Sequence, residues 1–581
     1  MTKTSNPLID VSFVDETAYA TPLETDDIVG VVAEMAWGPC DTFTVCDKTS
    51  WAQLANPANL GRTNQSYATI SRLFQAGAKY IELYRLGYCA SDPSLSEQVL
   101  CFLVSNTASE ALKTATVPVN QVDDWASVVN LSTYAAGFRY RYAGGFPGTV
   151  TVAAYTGAKP AAVGDVPMYT IAFYLNATEA EIEGMAPTES FNVTFQRCVV
   201  SGESLFYADV LRGSSQYFTA DIDYAMATTE ATISGTVDFT AEYAAEGAMY
   251  RTPIIGADGV DCGITFPAAA YQAAYSQFAD RDLSQATLLI STFNPNYTVA
   301  EEPDDSTTVA DIYGAVSEAA NSRMDSNALI GCPRSCFGSV KVTDNVTAIT
   351  EWFNGSGEGS MAVANSWGKF TGAIAAVERY IVNNTVFYLD GTASWAGAIC
   401  NIAANLSNRN QLPSYKAYGS TDAVLVKTLD FASVVSLMDN YGIGSIYKAA
   451  TGNYIFNIRS RYELQTSYFG KLNVMRVTAA VLGWLLDDVE NVIHTAVVSD
   501  ASDRLTFQEQ CNKKLGQMIA RGELKNESVV NCGDDINTDA LTNGGECLNV
   551  QCFLYFKKLA ERVSISIIAS DTTTTVTLAQ E

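Results

Sequence analysis

Residues 67–86 read YATISRLFQAGAKYIELYRL. Ile70, Leu73 and Phe74 recur at the spacing of one helix face, and Gly77 is placed to end that helix. Residues 79–86 then read as a strand. Upstream, IVGVVAEM (28–35) is a continuous apolar run that stops at Trp37-Gly38-Pro39, as a buried strand followed by a turn does. Strand, helix and strand in this order predict a β–α–β unit.

The alternation returns downstream. PAAAYQAAYSQFA (267–279) and TTVADIYGAVSEAANSR (307–323) read as helices, ATLLISTF (286–293) and NALIGC (327–332) as strands. ASWAGAICNIAAN (393–405) is a helix whose small residues allow a neighbour to approach closely. This order predicts a partly parallel sheet with helices on its faces. Between the two stretches the character changes. VLCFLV (99–104), FRYRYA (138–143), GTVTVAAY (148–155), MYTIAFYL (168–175) and FNVTFQRCVV (191–200) are strand-like, with Gly, Pro, Asn and Asp between them.

A last unit holds two amphipathic helices. Val477, Val481, Trp484, Leu485 and Val492 mark the first; Phe507, Cys511, Leu515, Met518 and Ile519 mark the second. Thr506 and Glu509 have capping-box spacing, and Gly522 is placed to stop the second helix. Strands are expected around 546–556 and 562–568. At the two ends, Ile9, Val11 and Phe13 alternate with polar residues, and so do Thr574, Val576 and Leu578 in a Thr-rich stretch. Exposed terminal strands with nothing beside them are an aggregation hazard unless another chain pairs with them.

The fold class expected is therefore α/β (α+β) and multidomain: mixed sheets and helices, an inserted all-β domain and terminal strand arms. The division is 1–20, an arm; 21–95 and 251–425, two parts of one α/β domain; 96–250, the insertion; 426–569, a C-terminal domain; and 570–581, a second arm.

The 581 residues include 63 acidic and 35 basic ones, a net charge of −28. That balance argues against a nucleic-acid binder and against adsorption on anionic membranes. The longest apolar run, 477–486, is too short for a bilayer span. The opening MTKTSNPLIDVSF has no apolar signal-peptide core, so the chain is expected to stay at first in the compartment of its synthesis.

Chemistry finds little to stand on. The one histidine, His494, follows VENVI at a helix end, where it reads as dipole compensation. NGSGEGS (354–360) lacks the Gly-Lys-Ser/Thr of a phosphate loop. With no CxxC pair among 13 cysteines, no metal site, cofactor or catalytic residue is expected.

The order of segments resembles the contractile tail sheath proteins of tailed bacteriophages. GVVAEMAWGP (30–39) is similar to the family's opening strand and turn. ISRLFQAGAKYIELYRLG (70–87) resembles its helix–Gly–strand element, and LMDNYGIGSIYKAATGNYIFNIRSRY (437–462) and KLNVMRVTAAVLGWL (471–485) resemble its C-terminal segments. The resemblance implies a non-enzymatic subunit of a helical homopolymer of stacked rings around an inner tail tube protein. Baseplate and tail terminator proteins would be its other partners. It implies a virion component, assembled in the host cytoplasm, whose arms add strands to neighbouring subunits and whose contraction drives the tube through the host envelope. The sheath of a related injection machine, a secretion system or tailocin, is the nearest alternative; an α/β enzyme with a β insertion is the alternative of another class.

On this reading Lys513, Lys514, Arg521 and Lys525, a basic cluster in an acidic chain, would face the inner tube, and the insertion would face outward. Virion surfaces are oxidising, so Cys40, Cys46, Cys532 and Cys547, in loop-like stretches, are candidates for disulfides.

Overall fold

The structure, a computed structural model, describes residues 27–557 apart from 36, 56–63, 92–95, 106–110, 145–146, 221–232, 240–265, 294–305, 357–358, 362–367, 383–384, 415–417, 458, 464–465, 493–500 and 539–547. Its centre is a nine-stranded sheet. In chain order the strands are β1 (Ile28–Ala33), β2 (Phe43–Asp47), β3 (Tyr80–Arg85), β4 (Leu288–Leu289), β5 (Asn327–Ile330), β6 (Thr371–Ala375), β7 (Ser420–Thr421), β8 (Ile443–Ala449) and β9 (Gly452–Phe456). In space they run β7-β9-β8-β6-β5-β4-β1-β3-β2. The six strands from β8 to β3 are parallel; β2 at one edge and β9 next to β8 run antiparallel to them, and β7, paired antiparallel with β9, forms the other edge.

The predicted β–α–β unit is present. β1 and β3 pair in parallel from Ile28↔Tyr80 to Ala33↔Arg85, and the helix Gln65–Ala76 joins them by way of β2. Parallel strands are buried on both faces, and side-chain parity divides the residues between two cores. Val32, Ala328, Ile330, Ala373 and Ala375 point into one. Val29, Val31, Leu329 and Ile374 point into the other.

Helices α1 (Lys48–Ala55), α2 (Gln65–Ala76), α3 (Ala268–Gln277), α4 (Ser306–Arg323), α5 (Val342–Asn354), α6 (Thr392–Leu406) and α7 (Phe431–Tyr441) cover the sheet. α3, α4, α5 and α7 fill the first core. α1, α2 and α6 fill the second. The small residues of α6 act as its sequence suggested: Gly397 lies against Ala76 and the Leu73 carbonyl of α2, and Gly77, at φ 117°, lies against Asn401.

Residues 98–239 carry two four-stranded antiparallel sheets. One runs Phe218–Thr219, Ala136–Tyr140, Gln98–Val104, Leu112–Pro118; the other Gly235–Asp238, Gly148–Ala154, Met168–Leu175, Glu189–Thr194. Their common core is rich in rings, among them Phe102, Phe138, Tyr140, Phe173, Phe218 and Phe239. Arg85, at the end of β3 and wholly buried, ties this part to the central sheet. Its guanidinium donates to the carbonyls of Met35 at 2.9 Å, Gly38 at 2.7 Å and Ala143 at 3.0 Å.

The chain closes on α8 (Leu472–Val492), α9 (Ala501–Ala520) and the antiparallel strands β10 (Val529–Asn531) and β11 (Gln551–Phe553). α8 serves two cores. Leu472, Met475 and Ala479 pack into the body, while Val477 and Val481 pack with Phe507, Cys511, Leu515 and Met518 of α9. The capping box at Thr506 and Glu509 is not there. α9 already starts at Ala501, and the Thr506 hydroxyl donates to the Ser502 carbonyl inside the helix at 2.8 Å. Among the described residues no helix is long and apolar enough to cross a membrane.

Candidate assembly surface

β10 and β11 form a two-stranded ribbon with alternating faces. Val530 and Cys532 are buried against α8 and α9, and Cys552, Leu554 and Phe556 pack onto the same core. The opposite parity points outward: Val529 is 40%, Phe553 45% and Tyr555 49% exposed. Val529 lies opposite Phe553, so large apolar side chains stand together on the outer face.

The two edges of the ribbon differ. On the β10 edge, Asn512 of α9 takes both backbone groups of Val530, accepting from its N–H at 2.8 Å and donating to its carbonyl at 3.2 Å. Gln508, one turn earlier, accepts from the Cys532 N–H at 2.8 Å. Helix side chains thus occupy the places a further strand would need. β11 has one strand neighbour among the described residues, β10. Of the two edges, only that of β11 lacks helix side chains of this kind on its backbone groups among the described residues.

The four basic candidates do not share one face. Lys513 and Lys525 are exposed. Lys514, one residue on and so about 100° round the helix, turns inward: its ammonium lies 2.7 Å from Asp488 and over the Trp484 ring. Arg521 pairs with Glu523 at 3.4 Å. Both line a cleft of about 400 Å³ between α8, α9 and the starts of β4 and β5. Asp27, Arg409 and Arg476 line the same cleft.

Cys40, Cys46 and Cys532 are free thiols, Cys40 half-buried and the other two buried. Burial pushes the Cys40 and Cys46 thiols up to about 12, and raises that of Cys532 as well. Thiolate, the form that exchanges with disulfides, is scarce at all three. Cys547, His494 and both sets of arm residues, Ile9, Val11, Phe13 and Thr574, Val576, Leu578, lie outside the described residues. Sequence reading named Lys514 and Arg521 but missed the other charged residues around the cleft, among them Asp27, Arg409 and Arg476. They come from distant parts of the chain and carry no local motif.

No protein-family model and no curated protein matches the sequence. Among solved structures, the sheath tail protein of Listeria innocua superposes with a TM-score of 0.50 at 11% identity, over 88% of this chain and 89% of that one. The fold is that of a tail sheath protein. The sheath tail protein of Desulfitobacterium hafniense matches over 88% of this chain and 92% of its own, at 10% identity and a TM-score of 0.42. The sheath fold thus extends over most of the chain at an identity that leaves few local motifs in common, in line with the absence of a family match.

Proposed function

We propose that this chain is the subunit of a contractile tail sheath. It polymerises around an inner tube by strand addition and contracts to drive the tube through a host envelope. The observation that carries the reading is the sheath fold spanning 88% of the chain. The ribbon supports it independently: one edge sealed by Asn512 and Gln508, the other without a second strand neighbour among the described residues, and an apolar outer face. Head-to-tail addition that does not close on itself generates a tube. The arms around residues 9–13 and 574–578 are the strands this reading assigns to neighbouring copies. The inner tube, baseplate and tail terminator are the further partners, and the 98–239 insert is assigned to the outer surface. The sheath of a secretion system or tailocin would use the same fold in the same way.

Electron microscopy of purified protein tests this directly. Wild type is expected to form tubes, and a chain lacking residues 571–581 to stay a folded monomer. Discrete wild-type particles at all concentrations, or normal tubes from the truncated chain, would overturn the reading. Lys513 and Lys525 are the exposed pair assigned to the inner tube. Lys513→Glu with Lys525→Glu should lower tube-protein binding in co-sedimentation while leaving sheath-only polymers intact.

A further inference from the structure

Asp27 and Lys557, which lie toward opposite ends of the 581-residue sequence, are held by one loop. α6 stops at Leu406, Ser407 takes a left-handed conformation, and residues 408–411 follow. The Asp27 carboxylate accepts from Arg409 Nε on one oxygen and from Arg476 Nη2 on the other, each at 3.3 Å. Asn410, the next residue, donates from Nδ2 to the Lys557 carbonyl at 3.2 Å and accepts from Asn473 at 2.6 Å. The loop is fixed from the C-terminal side too. Asn408 donates to the Arg521 carbonyl at 2.9 Å, and the Arg409 N–H to Glu523 Oε1 at 2.8 Å.

Asp27, Asn410, Asn473 and Arg476 are all buried. Buried pairs of this kind add little net stability, because desolvation offsets their attraction, but they are demanding in geometry. Their use here is positional. From Asp27 to Lys557 the path runs through two side chains and one peptide link, Arg409 to Asn410. The covalent route between the same residues traverses the whole body.

We propose that loop 408–411 is a clamp coupling the roots of the two terminal segments, residues 1–26 and 558–581. Load applied to one segment by a neighbouring copy of this chain reaches the other through Asp27, Arg409, Asn410 and Lys557. It does not have to cross the central sheet. The identity of the neighbour rests on the sheath reading; the coupling itself is a property of the single chain.

Hydrogen exchange on full-length monomer tests it, read in peptides covering 27–35 and 551–557. Asp27→Asn alters the bonds made at the first root, and Asn410→Ala removes the bond made at the second. Coupling predicts that each substitution speeds exchange in both peptides, by about tenfold, the size of one lost buried hydrogen bond. Exchange that rises only in the peptide next to the substitution overturns the clamp. Circular dichroism confirms the fold of each variant; if Asn410→Ala does not fold, Asn410→Gln, which keeps an amide but displaces it from the Lys557 carbonyl, replaces it with the same two expected outcomes. Tube formation by wild type reports on the sheath reading alone. Monomers that never polymerise but show the cross-effect would keep the clamp and sink the sheath.

Discussion

Asp390 shows how burial sets the pH response of a single side chain. It ends the strand Thr385–Asp390, just before α6, and is buried, with the Thr392 N–H and hydroxyl on one oxygen and the Tyr313 hydroxyl on the other. Burial outweighs these bonds and lifts its carboxyl from 3.8 to about 6. The folded state thus holds the proton more tightly than the unfolded state. The contribution to stability is complete below about pH 3.8 and is lost as pH rises through 6. Wild type should gain on Asp390→Asn as pH falls from 7 to 4, by about 3 kcal/mol at the outside. Thermal melts of both chains across that range check it; parallel curves would refute it. Arg72 offers a contrast. It is buried with Glu378 at 2.8 Å and also reaches Asp422 at 2.6 Å and Ser394 at 2.8 Å. Arg72→Met leaves Glu378 buried without its cation and should cost about 3–5 kcal/mol. Adding Glu378→Gln should recover part of that in urea denaturation, because the stranded charge is gone.

At the scale of elements, glycines in two helices have opposite uses. A Cβ on Gly397 would fall on Ala76 and 2.8 Å from the Leu73 carbonyl, so α6 and α2 touch backbone to backbone. Gly397→Val should cost about 1–3 kcal/mol or more, by pushing the helices apart. Gly516, exposed on α9, has nothing within 4 Å of that position. Gly516→Ala should stabilise by about 0.5–1 kcal/mol through helix propensity alone. Denaturation midpoints of the two variants should move in opposite directions. The helix crossing was legible in the run of small residues at 393–405, and the parallel pair in the change of period at Gly77, because both signals are local. What was not legible has the reverse character. The capping spacing at Thr506 and Glu509 occurs inside a helix that already starts at Ala501. The sealing of β10 depends on Asn512 and Gln508, which look like ordinary polar residues of a helix surface. The Asp27–Arg409–Arg476 cluster exists only once positions 27, 409 and 476, far apart in sequence, have been brought together.

At the scale of the whole molecule, the cores are separate. Apart from Trp37 and Cys40, the residues packed around the ring-rich core of the insert come from the insert itself. Among the described residues, the links to the central sheet include the connection after β3 and the Arg85 guanidinium, with its three carbonyl partners and Glu97 at 3.6 Å. A region with its own core and few shared contacts opens as its own cooperative unit. Unfolding of the monomer should therefore show at least two transitions, so that no single midpoint describes the chain. Arg85→Met removes three charged hydrogen bonds at the junction and takes the cation away from the buried Glu97, 3.6 Å from the guanidinium. It should spread the transitions further apart without abolishing either. Calorimetry with tryptophan fluorescence can separate them, since Trp37 and Trp125 belong to the insert cores, and Trp352 and Trp395 to the cores on the two faces of the central sheet. One transition followed alike by both probes, in wild type and in Arg85→Met, would mean that insert and body unfold together. Under the proposed sheath function, the insert would then bear load together with the body.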